Sequence, residues 1–200
     1  MMVSAILLAA GESRRMGEAN KLLLPFRGAP LIHSVARAIE DCGVGEWIAV
    51  TGHEAGAVAA ALQDFDFKLV NNVRYSTGMT SSIQVGVAAA SAQAKGYMIC
   101  LSDLPYLTAE VLDQLLRAFE AGWEKDPRLI VIPTHQGRRG HPLIFSKHYK
   151  KALLEHRNKE GCKGVVVRHP SHHVLVEVNS DGILKDVDRP DEYEDLLRKD

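Results

Sequence analysis

Short apolar runs separated by amphipathic segments recur along most of this chain, and few architectures can bury both kinds of segment at once. The runs at residues 3–10, 47–51, 67–70, 97–101 and 129–133 have strand lengths, and several are rich in Val and Ile. Between them, Leu31, Val35, Ala38 and Ile39 fall at helical spacing, as do Val111, Leu112, Leu115 and Phe119, so each segment carries one apolar stripe. Thr108, just ahead of Glu110 and Val111, reads as a helix cap whose hydroxyl serves free backbone amides. The pattern predicts an α/β chain with helices laid on a central sheet. After about Gly137 it loosens into a GHPLIF segment, a basic helical stretch around residues 147–157 and an apolar run at 174–178, for which antiparallel additions are expected. The 200 residues, 46% hydrophobic and 24% charged, suit one domain over residues 1–200, with a charged end after Leu197 expected to fray.

The charge balance narrows the partners. Lys and Arg total 24 against 25 for Asp and Glu, a net charge of -1, and no basic tract is long enough to track a nucleic-acid polymer. Basic residues cluster only locally, at Arg14, Arg15 and Lys21 and at Arg138 and Arg139, which suits a small anion. Cys42, Cys100 and Cys162 are odd in number and lack CxxC spacing, so neither a disulfide framework nor a zinc knuckle is expected, and a reducing cytoplasm fits. The opening MMVSAILLAAGESRRMG lacks the basic start of a secretory leader. No stretch reaches the roughly 20 apolar residues of a membrane span.

The strongest local signal is LLAAGESRRMGEANK, an apolar strand running into Gly11, Ser13, Arg14, Arg15, Gly17 and Lys21. Small residues at Ala9, Ala10 and Gly11 let phosphates or a base approach the backbone, and turn amides suit negative charge. Arg15 adds a planar fork and Lys21 a point charge, which together would also hold a departing pyrophosphate. A plain turn with solvated charges explains this coincidence less well, because an open α/β sheet binds ligands at the ends of its strands. The loop is neither a Walker loop, lacking GK[ST], nor a GxGxxG dinucleotide fingerprint.

The strand at 97–101 ends in Ser102, Asp103, Leu104 and Pro105, which places a carboxylate at that same sheet edge. Asp103 reads either as a turn residue or as a ligand for the Mg2+ that a triphosphate needs. Asp186 and Asp188 flank Val187 and face one side if extended. Cys100 reads as strand packing. Ser81 and Ser82, after Gly78 and Met79, read first as helix caps. His141, in GRRGHPLIF, reads first as a structural hydrogen-bonder, and the adjacent His172 and His173 would point to opposite sides of a strand.

Residues 8–21 resemble the LAAGxSxRMGxxK signature of the nucleotidyltransferase group that includes the molybdenum cofactor cytidylyltransferases. GMTSSI, SDLP, GHPLIF and DVDRPDEY follow in the family's order, so the resemblance covers nearly the whole chain. It implies a Rossmann-like nucleotidyltransferase fold: a mostly parallel sheet with an antiparallel addition and helices on both faces. It implies a nucleotide site at Leu8, Ala9, Ala10, Gly11, Ser13, Arg15, Lys21, Ser82 and Asp103, with Arg15, Lys21 and Asp103 catalytic. Mg2+ would be held by Asp103 and Asp188, and the acceptor by Arg138, Arg139, Gly140, His141 and Pro142. The N-terminal part would thus bind nucleotide and the C-terminal part the acceptor.

The family associates LAAG with cytidine, so Ala10 implies CTP, with CMP passed to the terminal phosphate of molybdopterin for a molybdenum hydroxylase such as those of purine breakdown. Transient contact with the molybdoenzyme or its accessory chaperone would follow. One departure stands out: GCKGVV replaces the family's GDxGAR, putting Cys162 and Val166 where an acid and an arginine are usual. Other readings are guanylyl transfer, transfer to a sugar or alcohol phosphate, and a non-catalytic nucleotide-binding accessory protein of a molybdoenzyme.

Overall fold

The computed structural model describes residues 2–17, 19–157 and 161–198. All of strand β1 (Val3–Ala9) is buried, and its side chains alternate with the two-residue period of a strand. Val3, Ala5, Leu7 and Ala9 enter one core while Ile6 and Leu8 enter the other, so the sheet needs cover on both faces. A short hairpin follows, of β2 (Pro25–Phe26) and β3 (Ala29–Pro30), then α1 (Ile32–Asp41), β4 (Glu46–Thr51), α2 (Ala55–Ala61) and β5 (Lys68–Asn71). The chain continues through α3 (Met79–Ala89), β6 (Gly96–Leu101), α4 (Ala109–Trp123), β7 (Ile130–His135), β8 (Arg138–Arg139) and β9 (Leu143–Ser146). It ends with α5 (Lys150–Glu155), α6 (Lys163–Arg168), β10 (His173–Glu177) and α7 (Pro190–Arg198). Helices α1, α2 and α4 fill the first core, and α3, α5 and α6 the second.

The sheet order is β10-β7-β9-β6-β1-β4-β5. The chain moves from β1 outward to β4 and β5, then returns to β6 on the other side of β1, with parallel pairing throughout. β1 and β6 therefore flank the point where strand order reverses, and a crevice opens at their carboxyl ends. The GHPLIF segment supplies the expected antiparallel addition as β9, inserted between β6 and β7. The run at 174–178 corrects that expectation, because β10 pairs parallel with β7. β9 ends beside Gly96 and β10 begins beside Ile130, both at the edge where the parallel strands start. Two helices, α5 and α6, carry the chain out and back to that edge, so the next strand must run with its neighbours.

The α1 and α4 stripes pack as their spacing predicts, with Val35, Ala38, Ile39, Leu112, Leu115 and Phe119 all in the first core. Thr108 occupies the cap position of α4 but caps no amide. Its hydroxyl bonds Glu110, and that bond holds the Glu110 carboxyl below its usual range. The final helix extends through Arg198, anchored by Leu196 against Phe26, Leu31 and Val187, and residues 199–200 of the expected frayed end lie outside the described residues. No helix among the described residues is long and apolar enough to cross a membrane.

All three cysteines are free and buried. Burial pushes Cys42 up to about 11 and Cys162 up to about 12, and raises Cys100 well above the usual thiol range. An exposed-thiol reagent at pH 8 should therefore label the native chain at well under one equivalent, and three only after unfolding. Rapid labelling of native Cys100 would contradict its assignment as core packing.

Candidate active site

A cavity of about 460 Å³ occupies the crevice beside β1 and β6, within the range of about 300–1,000 Å³ usual for small-molecule sites. Leu8, Ala10, Gly11, Ser13, Arg15 and Lys21 line it from the end of β1 and the first loop, Leu101, Ser102 and Asp103 from the end of β6 and the turn after it, and Asp188 from the C-terminal segment. Tyr75, Ser76, Gly78, Met79 and Ser82 close the side toward α3.

The first loop is shaped by its own short-range bonds. Ser13 takes a left-handed conformation at φ 50 and Gly17 at φ 76, the latter a region that glycine enters without steric cost. The Ser13 carbonyl accepts from the Met16 amide at 2.7 Å, and the Ser13 hydroxyl accepts from the Lys21 amide at 3.2 Å. Ser13 thereby ties the two ends of the loop together and fixes where Lys21 begins. The Ser102 hydroxyl donates to the Leu8 carbonyl at 2.7 Å, which locks the end of β6 to the end of β1. The Val187 amide donates to the Asp103 carbonyl at 3.0 Å and brings the C-terminal segment to the same place.

These ties converge four charged side chains. The Lys21 ammonium lies 2.5 Å from an Asp103 oxygen and 2.6 Å from an Asp188 oxygen, and the Arg15 guanidinium pairs with the other Asp188 oxygen. Lys21 and Asp103 are only 13% and 16% exposed, so their attraction is poorly screened, whereas Arg15 is 70% exposed and free to move outward. Burial pushes the Lys21 pKa down, but the two carboxylates outweigh it and leave it raised. Burial pushes Asp188 up, and Lys21 and Arg15 overcome that to hold it below the usual carboxylate range. Asp186 is raised, by burial first and then by Asp103 and Asp188. Burial lowers His141, against the pull of the Asp103 charge. Asp103 Oδ1 and His141 Nδ1 are both buried without a hydrogen-bond partner among the described residues.

Most of the nucleotide-site residues inferred from sequence meet at this cavity. Ala9 is the exception: its side chain belongs to the core on the opposite face. Ser82 lines the cavity, but neither Ser81 nor Ser82 caps α3, whose cap position is Gly78. Both hydroxyls instead accept from the Asn72 side chain, at 2.8 and 3.0 Å.

The acceptor segment does not line the cavity. Arg138 and Arg139 form β8, exposed, beyond a turn with Gln136 at φ 49 and Gly137 at φ 74. The Gly140 amide donates to the Pro133 carbonyl at 2.9 Å, and Gly140 packs on Ile183 with no room for a Cβ. The His141 amide donates to the Ile183 carbonyl at 3.0 Å. Cys162 and Val166 both pack in the second core, so neither supplies charge to the cavity. His172 bonds Tyr149 and His173 lies 2.9 Å from the Val166 carbonyl, and the two share no metal site among the described residues.

Tyr75 and Ser76 are missing from the sequence reading. The usable signal is position: they follow parallel strand β5, whose carboxyl end lies at the ligand edge. A Cβ added at Gly52 would sit 2.6 Å from the Tyr75 Cβ and 2.8 Å from the Ala10 Cβ, so these three residues form one close-packed wall.

Known proteins are similar to this chain along most of its length. The MobA-like NTP transferase domain matches residues 5–174. Nicotine blue oxidoreductase from Paenarthrobacter nicotinovorans is 29% identical over 197 residues, covering 98% of this chain and 96% of that protein. Molybdenum cofactor cytidylyltransferase from Escherichia coli (strain K12) is 25% identical over 193 residues, covering 96% and 93%. The crystal structure of Rv0371c from Mycobacterium tuberculosis H37Rv has a TM-score of 0.83 at 27% identity over 98% of each chain. Its complex with manganese has a TM-score of 0.75 at 25% identity over 100% of each. The family match takes in most of β1 and all of β6 with the loops that carry Lys21 and Asp103, and the chain belongs to the MobA-like NTP transferase family.

Proposed function

We propose that this protein transfers CMP from CTP to the terminal phosphate of a molybdopterin-type acceptor and releases pyrophosphate, in a reducing compartment such as the cytoplasm. The observation that carries this reading is the Lys21 ammonium held between Asp103 and Asp188 in the wall of the cavity that the first loop lines. The similarity to molybdenum cofactor cytidylyltransferase supports the acceptor. The product would pass to a molybdenum hydroxylase by transient contact.

Asp103 and Asp188 fit Mg2+. They offer hard oxygen donors, and Asp103 Oδ1 is a buried acceptor without a partner. Among the described residues no group of three or more possible ligands forms a complete cage, which suits an ion that takes one or two carboxylates and completes its shell with phosphates and water. Bound there, Mg2+ supplies neutralisation of the triphosphate charge. The manganese complex of Rv0371c supports a divalent ion at this fold.

An acceptor phosphate oxygen attacks the α-phosphorus of CTP, the bond from that phosphorus to the bridging oxygen breaks, and pyrophosphate departs with the electron pair. The loop at Gly11–Lys21 orients the triphosphate so that attack is in line. Lys21, released from the carboxylates, turns to the phosphates, and Arg15 supports the charge growing on pyrophosphate. Arg138 and Arg139 attract the acceptor, while neutral His141 shapes its approach beside Asp103. No side chain acts as a nucleophile.

Base selection rests on the Ala10, Gly52 and Tyr75 wall, where the Ala10 methyl limits room for a purine. Pyrophosphate release, assayed with molybdopterin and each nucleoside triphosphate, tests the proposal. CTP alone should turn over. Ala10→Gly should raise the GTP to CTP ratio of kcat/KM by about tenfold, the lower end of what one methyl contributes to discrimination. An unchanged ratio would remove Ala10 from base selection, and release only with a sugar phosphate would move the chain to another acceptor class.

The similarity to nicotine blue oxidoreductase favours a second reading, an oxidoreductase activity. The first loop lacks the GxGxxG fingerprint of a dinucleotide cofactor. Substrate-dependent NADH or NADPH oxidation would support this reading, and its absence alongside pyrophosphate release would exclude it.

A further inference from the structure

Asp188 is carried to the cavity by residues 185–189, which lie outside any strand or helix. Such a segment orders a side chain only where its backbone is tied down. Upstream, the Val187 amide donates to the Asp103 carbonyl, and the Val187 side chain is buried with Phe26, Leu31 and Leu196. Downstream, one oxygen of the Glu192 carboxylate accepts from the Asp188 amide at 2.7 Å and from the Arg189 amide at 3.0 Å.

The sequence DRPDE accounts for the second tie. Pro190 opens α7, where a residue without an N–H leaves no helical bond unmade. Arg189 then stands at the cap position, and Glu192, three residues on, reaches back to its amide as the acidic half of a capping box. Helix capping requires only that bond. The shorter one goes to the Asp188 amide, outside the helix, and fixes the backbone of a cavity residue. Elsewhere α7 is held without Glu192: the Tyr193 hydroxyl donates to the Pro25 carbonyl at 2.6 Å, and Leu196 is buried.

We propose that Glu192 is a positioning residue for divalent-ion binding, acting through Asp188 rather than on the ion itself. This rests on the reading of Asp103 and Asp188 as Mg2+ ligands. The Asp188 carboxylate is drawn toward Lys21 and Arg15, and a divalent ion must win it from both. A backbone still free to swing would lose conformational freedom at that moment, which weakens binding, whereas the Glu192 bond orders it beforehand. The start of the last helix is thereby coupled to the geometry of the cavity.

Residue-resolved NMR of the isotope-labelled full chain tests this, with Mg2+ alone titrated and its Kd read from saturable shifts at the Asp103 and Val187 amides. Glu192→Ala should weaken Mg2+ by about tenfold, the lower end of what an outer hydrogen-bond partner contributes to metal affinity. Glu192→Asp keeps the charge but shortens the reach, and should weaken it similarly. Glu192→Gln loses the charge but keeps an acceptor oxygen, and should restore most of the affinity. Tyr193→Phe loses the bond to Pro25 but none to Asp188, and should lower the melting midpoint without changing the Mg2+ Kd. Unchanged affinity in Glu192→Ala and Glu192→Asp, equal weakening in Tyr193→Phe, or no recovery in Glu192→Gln would overturn the assignment. Wild type without saturable Mg2+ shifts at these amides would instead overturn the metal reading, and this assignment with it.

Discussion

Asp103→Ala is expected to lower kcat for pyrophosphate release by about a thousandfold, the upper range for removing one preorganised electrostatic group, while leaving the fold intact. Asp103 joins the Lys21 ammonium at 2.5 Å, and its second oxygen is buried without a partner among the described residues. Truncation therefore removes an underused, desolvated acceptor as well as an ion pair, and these two effects on stability oppose one another. Lys21 also keeps its contact with Asp188 at 2.6 Å. Thermal melting and steady-state kinetics on one preparation check both halves. Activity within a few-fold of wild type would remove Asp103 from the metal site, and a collapsed melting curve would make it a folding residue.

Lys21→Ala is expected to weaken nucleotide binding by about 10–100-fold, the range for losing one charge-assisted hydrogen bond of about 1.5–3 kcal/mol. The nucleotide-free variant should also melt earlier, because two carboxylates now bridged by one ammonium would face each other with only the exposed Arg15, paired with Asp188, left to compensate them. Breaking a fully buried pair costs about 3–5 kcal/mol. Asp188 is 32% exposed, so solvent reduces this cost, to about 2 kcal/mol, or roughly 5 °C for a chain of this length. Millimolar MgCl2 or MnCl2 should restore more of the midpoint in the variant than it adds to wild type, since a divalent ion replaces the missing charge. Equal cation responses would contradict competition between the ammonium and an ion for the same carboxylates.

The parallel core is legible in the sequence because its strands are short apolar runs bounded by polar turns, and each predicted run lies within two residues of its strand. The direction of β10 is not, since it depends on how far α5 and α6 carry the chain before it re-enters the sheet. Local chemistry is similarly divided. Gly11, Ser13, Arg15 and Lys21 reveal themselves by contiguity, whereas Asp188 reaches the site only through the Val187 to Asp103 backbone bond, across a long sequence separation. Ala9 shows the limit of reading a motif as a unit: backbone proximity to the loop does not decide the face on which a strand side chain emerges. Thr108, Ser81 and Ser82 are hydroxyls at a helix start that prefer side-chain or carbonyl partners to capping, a choice set by neighbours such as Asn72 and Glu110.

The most direct test of the central claim is equilibrium binding of CTP, GTP, ATP and UTP to the purified protein, with and without Mg2+. CTP should bind tightest, and Mg2+ should strengthen it by at least about tenfold, equivalent to about 1.4 kcal/mol. Preference for GTP would redirect the proposal to guanylyl transfer, and failure to bind any nucleoside triphosphate would contradict it outright.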